Sequence, residues 1–561
     1  MRDDYLAKID KIPDSSYNKE QKQLAKEILK TVPEKDLDEV YGFITQRVKT
    51  GFVFDEAPEV NHNCVVTVKE NTKLNIAVNE LNRLEHKLII GENYDALKNL
   101  CAAYIDKNGK GLIDIIYIDP PYNTESTQKD GNDYKEEVKA SKFVYRDKFT
   151  RDGWLNLMNE RLKMARRLLS DNGVIFISID DSEQAYLKVL CDTIFGENNF
   201  VGNLIWLKKN AQNDADNLQS NHEYIVIYAK SKTKKLLSQE LLKDVKVLEE
   251  NGDYFYEGAG LTTGGAGGTL NNRPNLGYTI YYNPENKDKI AVADYNIAAA
   301  KTSNEEEQVY CDDINLINNG YIKIRPPKKA GKLGCWTWSI DKFNNEKSNI
   351  YIKRTINGYS VCKKGFVDKH TIQILKSKPL NSYVEIPSSN GTKILLRILG
   401  EKMFDNPKPM ELVSFLIKSY HNPNATVLDF FAGSGTTGQA VMELNAEDGG
   451  KRKFILVTNN ENGIGENITR ERLYRVITGK GSKGESFEWT YSKDKAYLSD
   501  NSVRVFKLEY EPLTLNDLDK AEKIKEFAKK EFEKINENYD YSNDFDVYNE
   551  LSALCPYKQE D

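Results

Sequence analysis

A short apolar run that ends in two prolines constrains the fold of this chain more than any other feature. The run reads GLIDIIYIDPPYN from Gly111 to Asn123, and its β-branched residues predict a strand buried on both faces of a parallel sheet. The prolines fix the backbone and remove two hydrogen-bond donors, so the strand must stop before them. Open α/β sheets bind ligands at the carboxyl ends of their strands. The residues predicted at that position are Asp119, Pro120, Pro121 and Tyr122.

The chemistry of these four residues suits an exocyclic amino group of a nucleobase. Such a nitrogen is a weak nucleophile because its lone pair is delocalised into the ring. Asp119 and the carbonyl of Pro120 would accept its two N–H bonds and draw the lone pair towards an electrophile. Tyr122 would stack on a base that has left the helix. The competing interpretation is a strand-ending turn whose aspartate caps a following helix.

A second motif reads ATVLDFFAGSGTTGQA and runs from 425 to 440. It predicts a short strand that ends at Asp429, then a turn at Gly433-Ser434-Gly435, then a helix. Glycines let a backbone approach a ligand closely, and a helix N-terminus favours a carboxylate or a phosphate. The motif lacks the lysine of a P-loop. The two glycines alone therefore leave the ligand open.

Two further acidic residues follow predicted strands. Glu461 comes after the strand in FILVTNNE, where an acid is placed to bind ribose hydroxyls; a surface acid at a strand exit is the alternative. Glu92 comes after the strand in LIIGENYDAL. It would either meet the amino group of a ligand or cap the helix that follows.

Composition argues against several classes of protein. The 561 residues suit about two to four domains. The polar, acidic start of the chain predicts no signal peptide, and no apolar run is long enough to span a membrane. The seven cysteines are scattered without a CxxC pair, and there are only five histidines, which argues against a zinc site, a disulfide framework or a catalytic metal. We expect a cytoplasmic protein.

The net charge of −6 conceals a strong asymmetry. Residues 321–370 hold twelve Lys/Arg against three Asp/Glu, whereas residues 505–561 hold eight against fifteen. Binding of phosphates requires a local positive surface rather than a positive average. The side chains predicted to contact DNA are Arg273, Lys328 and Lys329 in the middle of the chain and Lys148 in a long polar loop. A solvated basic face is the alternative.

Three secondary-structure predictions concern the borders of the fold. Leu204–Trp206 and Tyr224–Tyr228 are expected to form an antiparallel pair at the sheet edge. Trp336 and Trp338 are expected to pack in a core. The segment 518–537 predicts a Lys/Glu helix that is exposed to solvent.

The motifs DPPY and FAGSGTT, in that order, resemble those of the amino-group DNA methyltransferases that use S-adenosylmethionine. The order, with a variable region between the motifs, is similar to that of their β class. Several other stretches also match, including LIIGENYDAL, GVIFISIDDSE, HEYIVIYAK, NPKPMELVSFLI and FILVTNNEN. The likeness is strongest to the Mod subunits of type III restriction–modification systems, and NNRPNLGY and WTWS in the variable region are also similar to that group.

The resemblance implies a role for each motif. The DPPY residues would be catalytic, and DPPY points to adenine N6 rather than cytosine N4. Glu461 would bind the ribose of the donor, and the stretch around Lys408 would close over its methionine end. Glu92 stands where the family more often has Asp. The residues implied to line the donor pocket are Asp429, Phe431, Gly433, Ser434 and Gly435.

The expected fold is α/β, a doubly wound, Rossmann-like methyltransferase sheet with circularly ordered motifs. An inserted target-recognition region would interrupt it, and helical segments would flank it. The predicted parts are an N-terminal helical extension (1–84), a catalytic half (85–235), the target-recognition region (236–395), a donor-binding half (396–480) and a charged C-terminal extension (481–561).

The function implied is transfer of a methyl group from S-adenosylmethionine to adenine N6 in a specific sequence of double-stranded DNA, by base flipping in a prokaryotic cell. A protein of this group is expected to dimerise and to partner a helicase–nuclease restriction subunit. Three alternatives remain: cytosine N4 methylation, a subunit that mainly recognises DNA for a restriction partner, and methylation of a protein or RNA.

Overall fold

The computed structural model describes most of the chain in two compact units. The described residues are 2–11, 19–45, 61–78, 83–122, 151–209, 219–233, 236–262, 266–356, 358–485, 497–514 and 516–554. The first unit comprises Met1–Ser238 and Pro379–Asp561, and the second comprises Gln239–Lys378. The predicted DNA contact Lys148 lies outside the described residues.

The first segment of the first unit supplies six strands and six helices among its described residues. The strands are β1 (Asn61–Glu70), β2 (Leu84–Ile90), β3 (Ile113–Ile118), β4 (Leu169–Ile179), β5 (Phe200–Leu207) and β6 (His222–Ala229). The helices are α1 (Arg2–Asp10), α2 (Lys19–Thr31), α3 (Leu37–Thr45), α4 (Asn93–Tyr104), α5 (Arg151–Leu168) and α6 (Gln184–Phe195). The predicted strand, turn and helix of LIIGENYDAL are thus confirmed.

The second unit is made of short elements. Its described strands are β7 (Gln239–Asp244), β8 (Val247–Glu250), β9 (Asp253–Gly260), β10 (Thr279–Tyr282), β11 (Lys289–Val292), β12 (Ile322–Ile324), β13 (Ile350–Thr355), β14 (Gly358–Phe366) and β15 (Gln373–Lys378). Its described helices are α7 (Ile297–Ala300), α8 (Glu306–Val309), α9 (Ile314–Asn318) and α10 (Ile340–Asn345). The strands form sheets of four, three and two strands. Trp336 and Trp338 are buried in this unit, as predicted.

The first unit continues after the second. The described strands of this segment are β16 (Tyr383–Glu385), β17 (Thr426–Asp429), β18 (Lys453–Thr458), β19 (Asn501–Pro512) and β20 (Ser552–Ala553). The helices are α11 (Ser389–Leu399), α12 (Met410–Lys418), α13 (Thr436–Asp448), α14 (Glu471–Thr478), α15 (Leu518–Ile535) and α16 (Val547–Glu550). Among the described residues, none of the helices is long and apolar enough to cross a membrane.

Eleven of these strands form one sheet, in the order β16-β5-β6-β4-β3-β17-β18-β2-β19-β1-β20. The six central strands, from β4 to β19, all run parallel. The strands that carry the two motifs are neighbours, with Val427 paired to Ile115 and Leu428 to Ile116. Because parallel neighbours end at the same edge of a sheet, the residues that follow β3 and β17 emerge side by side.

Helices cover both faces of the parallel strands. Successive residues of a strand point to opposite faces of the sheet, and both sets are buried. Ile116 and Ile118 of β3 pack in the cluster that contains α4, α5, α6 and α15. Ile115 and Tyr117 pack on the other face with α11, α12, α13 and α14. This arrangement confirms the predicted doubly wound α/β fold.

The chain on both sides of the predicted catalytic and donor-binding halves contributes to the sheet. β19 pairs in parallel with β2 and antiparallel with β1. β1 falls within the segment predicted as an N-terminal helical extension, and β19 within the predicted charged extension, so neither description was complete. In VRVFKL the residues Val503, Val505 and Phe506 are buried, but the charged residues among and beside them obscured the strand in the sequence.

Two other expectations were wrong. β5 and β6 are antiparallel, as predicted, but β5 is not at the edge because β16 pairs with it in parallel. The helix α15 is not simply solvated. It buries a stripe at helical spacing against the first unit, and the apolar members of this stripe are Ala521, Ile524, Ala528, Phe532 and Ile535. Lysines and glutamates on its other face dominated the composition and hid this stripe.

The burial of α15 predicts a measurable effect on stability. Phe532 is completely buried, so Phe532→Ala should lower the free energy of unfolding by about 3–5 kcal/mol. Lys523 lies on the exposed face of the same helix, and Lys523→Ala should change it by less than about 0.5 kcal/mol. Urea unfolding of both variants tests this. Equal, small effects would mean that α15 does not pack against the sheet.

Candidate functional site

The carboxyl ends of β3, β17 and β18 open into one cleft of about 180 Å³. Each strand contributes the residues that directly follow it, as the parallel topology requires. The lining residues are Asp119, Pro120 and Pro121 after β3, Phe430, Phe431 and Gly433 after β17, Thr458, Asn459, Glu461, Asn462 and Ile464 at and after the end of β18, and Phe404. The cleft therefore joins the two motifs that the sequence singled out.

The residues that follow β3, from Asp119 to Tyr122, are called the proline shelf below. A buried indole holds this shelf in place. Nε1 of Trp154, on α5, donates a hydrogen bond to the carbonyl of Pro121 at 2.7 Å. Trp154 is completely buried. The hydrogen bond also fixes the direction of the shelf, because Pro121 cannot rotate freely about its own φ.

A lysine from another part of the chain contacts the shelf. Nζ of Lys408 lies 2.9 Å from Oδ1 of Asp119 and 3.6 Å from Oε2 of Glu223. It also lies 4.7 Å from the centroid of the Tyr122 ring, within cation–π range. The carbonyl of Lys408 accepts a hydrogen bond from Oγ1 of Thr436 at 3.4 Å. Lys408 thus connects the proline shelf to the start of the helix that follows the glycine turn.

Glu223, on β6, completes this cluster; it lies in the stretch HEYIVIYAK, but the sequence analysis gave it no role. Its Oε2 accepts a hydrogen bond from the Tyr122 hydroxyl at 3.0 Å, and its Oε1 lies 3.2 Å from Nζ of Lys208. The cluster contains two carboxylates, two ammonium groups and one phenol. Its formal charge therefore balances when all four ionisable side chains are charged.

The electrostatics of the cluster favour the charged forms of Glu223 and Lys408. Burial by itself would raise the pKa of Glu223, but Lys408 and Lys208 hold it below its ordinary value. Burial would lower the pKa of Lys408, but Asp119 and Glu223 raise it overall. Burial raises the pKa of Asp119, and Lys408 opposes that rise. Burial and the nearby carboxylates keep the pKa of Tyr122 well above its ordinary value, so its hydroxyl retains the proton.

The side chain of Asp429 stabilises the turn after β17 by accepting hydrogen bonds from it. Its Oδ1 accepts a hydrogen bond from the backbone N–H of Phe431 at 3.0 Å, and its Oδ2 accepts one from Oγ1 of Thr437 at 2.5 Å. The side chain is buried, and burial raises its pKa to about 7. Asp429 was predicted to line the donor pocket, but its oxygens bond within the turn and it does not line the cleft.

The glycine turn needs backbone conformations that favour glycine. Gly433 and Gly435 have φ values of 49° and 76°. A Cβ on Gly433 would lie 3.2 Å from the Phe404 ring, and one on Gly435 would lie 3.1 Å from Cγ2 of Thr469. Gly433 lines the cleft, whereas Gly435 packs away from it against Thr469. Side chains at these positions would therefore fill or distort the space beside the cleft.

A buried arginine that the sequence analysis missed secures the same turn. Nη1 of Arg472 donates to the carbonyl and the hydroxyl of Ser434, both at 3.2 Å, and to Oγ1 of Thr436 at 2.8 Å. Its Nε donates to Gln439 at 2.9 Å. Burial lowers the pKa of Arg472 to about 9. Ser434 therefore faces Arg472 rather than the cleft, contrary to its predicted position in the pocket lining.

Glu92 caps a helix, which is one of the two roles considered for it. Its side chain accepts hydrogen bonds from the backbone N–H groups of Tyr94 and Asp95 at the start of α4, and its Oε1 lies 2.6 Å from the buried Arg161. Its neighbour Asn93 donates to the carbonyl of Phe430 at 2.9 Å. Glu92 does not line the cleft, and its contact with the donor stays a prediction. It supports the turn through this network.

The structure thus separates the predicted site residues into two groups. Seven of them surround or adjoin the cleft: Asp119, Pro120, Pro121, Tyr122, Phe431, Gly433 and Glu461. The others hold those residues in place, and they are Lys408, Asp429, Ser434, Gly435 and Glu92. Within the part of the chain that the structure describes, no group of His, Cys, Asp and Glu side chains is arranged to hold a metal ion.

The basic segment of the second unit is largely neutralised by acids from elsewhere in that unit. Seven of the twelve cations in 321–370 form ion pairs: Lys323, Arg325, Lys328, Lys342, Lys347, Lys353 and Lys364. Most of their partners lie before residue 321, for example Asp288 and Glu306. Residues 239–378 contain twenty Lys/Arg and seventeen Asp/Glu. The charge counted along the sequence therefore overestimated the positive surface.

The predicted DNA contacts in this unit differ in exposure. Arg273 and Lys328 are exposed, and Lys328 lies 3.8 Å from Glu306. Nζ of Lys329 is buried, so a phosphate contact from Lys329 is not available in this conformation. Two backbone hydrogen bonds between Lys329 and Lys332 fix this position in a tight hairpin. Lys332 is exposed and is a better candidate, although the sequence analysis did not select it.

Comparison with known proteins identifies the family. The family model described as DNA methylase matches residues 113–477, which is more than half of the chain. The chain belongs to the DNA methylase family. A second family model, described as an uncharacterised conserved protein, matches residues 2–108 and overlaps β1, β2 and α4 of this methylase-family chain.

The methylase-family chain is also similar to curated proteins. It is 33% identical to the EcoPI Mod subunit of Escherichia phage P1, over 67% of this chain and 58% of that protein. It is 32% identical to the StyLTI Mod subunit of Salmonella typhimurium, over 75% of this chain and 57% of that protein. It is 32% identical to the type II methyltransferase M.KpnI of Klebsiella pneumoniae, over 71% of this chain and 93% of that protein. These matches confirm the predicted resemblance to Mod subunits of type III systems.

The chain spans less than three fifths of the length of the two Mod subunits and nearly all of M.KpnI. Among solved structures it aligns with a DNA modification methylase of Thermus thermophilus with a TM-score of 0.31 and 13% identity, over 75% of this chain and 99% of that chain. The family assignment rests on the sequence matches.

The contacts of Arg472 generate a prediction for the glycine turn. Arg472→Leu would leave the oxygens of Ser434 and Thr436 without their donor in a buried place, and each such group costs about 1–3 kcal/mol. We expect a lower free energy of unfolding and faster amide exchange at 434–437, measured by urea unfolding and hydrogen exchange. The exposed Lys451 provides the matched control Lys451→Leu. Unchanged exchange in the arginine variant would contradict this role.

Proposed function

We propose that this protein transfers a methyl group from S-adenosylmethionine to adenine N6 in a specific sequence of double-stranded DNA. The observation that supports this best is the single cleft in which Asp119 and its two prolines face Phe431, Gly433 and Glu461. One side suits an amino group and the other suits a nucleoside-containing donor. The family match to DNA methylases agrees with this division.

The residues on the second side of the cleft suit S-adenosylmethionine. Gly433 leaves open the space that a Cβ would take beside Phe404, which lets the donor approach the backbone. Phe431 offers an aromatic face, and Glu461 follows β18, where an acid binds ribose hydroxyls. When bound there, S-adenosylmethionine supplies an electrophilic methyl group on a positively charged sulfur.

On the other side of the cleft, Asp119 provides the main electrostatic stabilisation. Its carboxylate accepts one N–H of the adenine amino group, and the adjacent carbonyl of Pro120 accepts the other. These bonds draw the nitrogen lone pair out of conjugation and aim it at the methyl group. The carboxylate also faces the nitrogen as it becomes positive, so it stabilises the transition state more than the ground state.

Tyr122 receives the base once it has left the duplex. Its hydroxyl donates to Glu223, and this bond fixes the ring beside the shelf. Stacking on a fixed aromatic ring offsets part of the cost of extracting a base, which is a few kcal/mol. The shelf and the ring together would position the amino group for attack.

The second unit is the proposed target-recognition region. Its support is its place between the two segments of the first unit, together with the exposed cations Arg273, Lys328 and Lys332. Main-chain hydrogen bonding of Leu270 to Leu333 brings the segment that carries Arg273 next to the hairpin that carries the lysines. Cations of this kind contact phosphates and set the register of a protein on DNA.

The similarity to Mod subunits also supports two proposals about assembly. The protein would partner a restriction subunit, and it would form a homodimer. Size-exclusion chromatography with light scattering would test the dimer, and co-purification with a helicase–nuclease expressed from a neighbouring gene would test the partner.

Modification-sensitive long-read sequencing of DNA from cells that express the protein tests the proposed reaction. We expect methylated adenine in one sequence motif with the wild type and none with Asp119→Ala, because removal of an electrostatic contact of this kind costs a factor of about 100 or more. Asp171→Ala is a matched control, since Asp171 is exposed and pairs with Lys110. Methylated cytosine would instead support cytosine N4 transfer. Equal methylation by wild type and Asp119→Ala would overturn the role of Asp119.

The exposed cations predict the salt dependence of DNA binding. Replacement of Arg273, Lys328 and Lys332 by Gln should weaken binding and flatten the slope of log K against log salt by up to about 2.7, or about 0.9 for each phosphate that is no longer neutralised. Lys347→Gln is the control in the same unit, because Lys347 lies 3.0 Å from Asp288 and is thus paired more closely than Lys328, which lies 3.8 Å from Glu306. Fluorescence anisotropy over a range of salt measures both. An unchanged slope in the triple variant would place the DNA surface elsewhere.

A further inference from the structure

The ammonium group of Lys408 occupies the two contacts that the proposed function assigns to the target base. It lies 2.9 Å from Oδ1 of Asp119, one of the two oxygens of the carboxylate that would accept the adenine amino group. It also lies 4.7 Å from the centroid of the Tyr122 ring, on which the base would stack. An ammonium group and an exocyclic amino group are both nitrogen donors, so one can stand where the other will bind.

We propose that Lys408 fills the position of the target amino group while the site is empty, and that its ammonium moves onto Glu223 when the base enters. Glu223 is then a positioning residue, because it acts through Lys408 and does not touch the base. This inference rests on the proposed DNA methylation. It adds an account of how the Asp119 carboxylate is paired with Lys408 before the base enters and how that pairing is then broken.

The charges of the reaction require the ammonium to leave Asp119. The methyl group comes from a positive sulfur, and the adenine nitrogen becomes positive as the bond forms. One positive charge thus moves from sulfur to nitrogen, and a second positive charge held on the same carboxylate would oppose it there and would compete with the N–H group for the carboxylate. Asp119 can therefore stabilise the transition state only after Lys408 has been drawn away.

Glu223 is placed to receive the ammonium. Its Oε2 is already 3.6 Å from Nζ of Lys408, so the transfer needs only a small rotation of the side chain. Glu223 is largely buried, and Lys208 at 3.2 Å and the Tyr122 hydroxyl at 3.0 Å favour its ionised form. A buried carboxylate with a full charge is the strongest available partner for a displaced cation.

The backbone of Lys408 does not need to move. Its carbonyl accepts a hydrogen bond from Thr436, and Pro409, which restricts the backbone, follows immediately before α12. The flexible four-carbon side chain lets the ammonium exchange partners about this anchor. The anchor also keeps the ammonium inside the site, where it stays available to cover Asp119 again after the product leaves.

The test uses suppression of one variant by another. Glu223→Gln keeps an acceptor for Tyr122 but removes the charge that draws Lys408 away, so we expect kcat to fall about tenfold or more with an unchanged Kd for S-adenosylmethionine. Adding Lys408→Met should recover much of that loss, because Asp119 is then uncovered. Methyl transfer to DNA that carries the motif found by sequencing measures kcat. Lys418→Met and Glu447→Gln are controls, since this exposed pair at 2.7 Å lies at the far end of α12.

Base flipping gives a second readout that needs no methyl transfer. With 2-aminopurine next to the target adenine and no donor present, Lys408→Met should raise its fluorescence above that of the wild type, because nothing competes with the flipped adenine for Asp119 and Tyr122. Glu223→Gln should lower it. If Glu223→Gln does not fold, the fluorescence of Lys408→Met decides the question alone.

The outcomes separate the two proposals. No methyl transfer by the wild type would overturn the proposed function and this inference with it. Transfer by the wild type, with a double variant no faster than the slower single variant, would overturn only the inference. Fluorescence of Lys408→Met equal to or below that of the wild type would do the same.

Discussion

The parallel pairing of β3 with β17 is the interaction on which the rest of the structure depends. Each strand ends in a motif that forms only one side of a cleft, and the cleft exists only when the two motifs are adjacent. The pairing brings Asp119 next to the turn that follows Asp429, although the whole second unit and much of the first separate them in sequence. Lys408 adds a third connection, because its side chain reaches one side and its carbonyl the other.

The site consists of a thin layer of residues that can touch a ligand and a larger number that hold them. Trp154 fixes the shelf, Arg472 fixes the turn, and the network of Glu92, Arg161 and Asn93 reaches the carbonyl of Phe430. Most of these supports are charged or polar groups whose burial costs free energy unless each donor meets an acceptor. Such networks hold the reacting groups in fixed directions, which transfer between two bound molecules requires.

The sequence predicted the parts of the fold that depend on local patterns. The β-branched run before Asp119 and the alternation of strand and helix around Glu92 were sufficient to place β3, β2 and α4. Glu223 and Arg472 could not be found in this way, because their roles come from pairing between distant segments. The positive charge of 321–370 was misjudged for the same reason, since Asp288 and Glu306 lie outside that window. The apolar stripe of α15 was present in the sequence but was concealed by the lysines around it.

The position of β19 has a consequence for synthesis on the ribosome. β1 and β2 both need β19 as a partner, and they precede it by more than four hundred residues. Their edges stay unpaired until residue 512 has left the exit tunnel, which at about 5–20 residues per second is tens of seconds of exposure. The strands of the second unit pair only among 239–378, so that unit can become compact first. Nascent chains of this protein should therefore need protection of their earliest strands by a chaperone for most of translation.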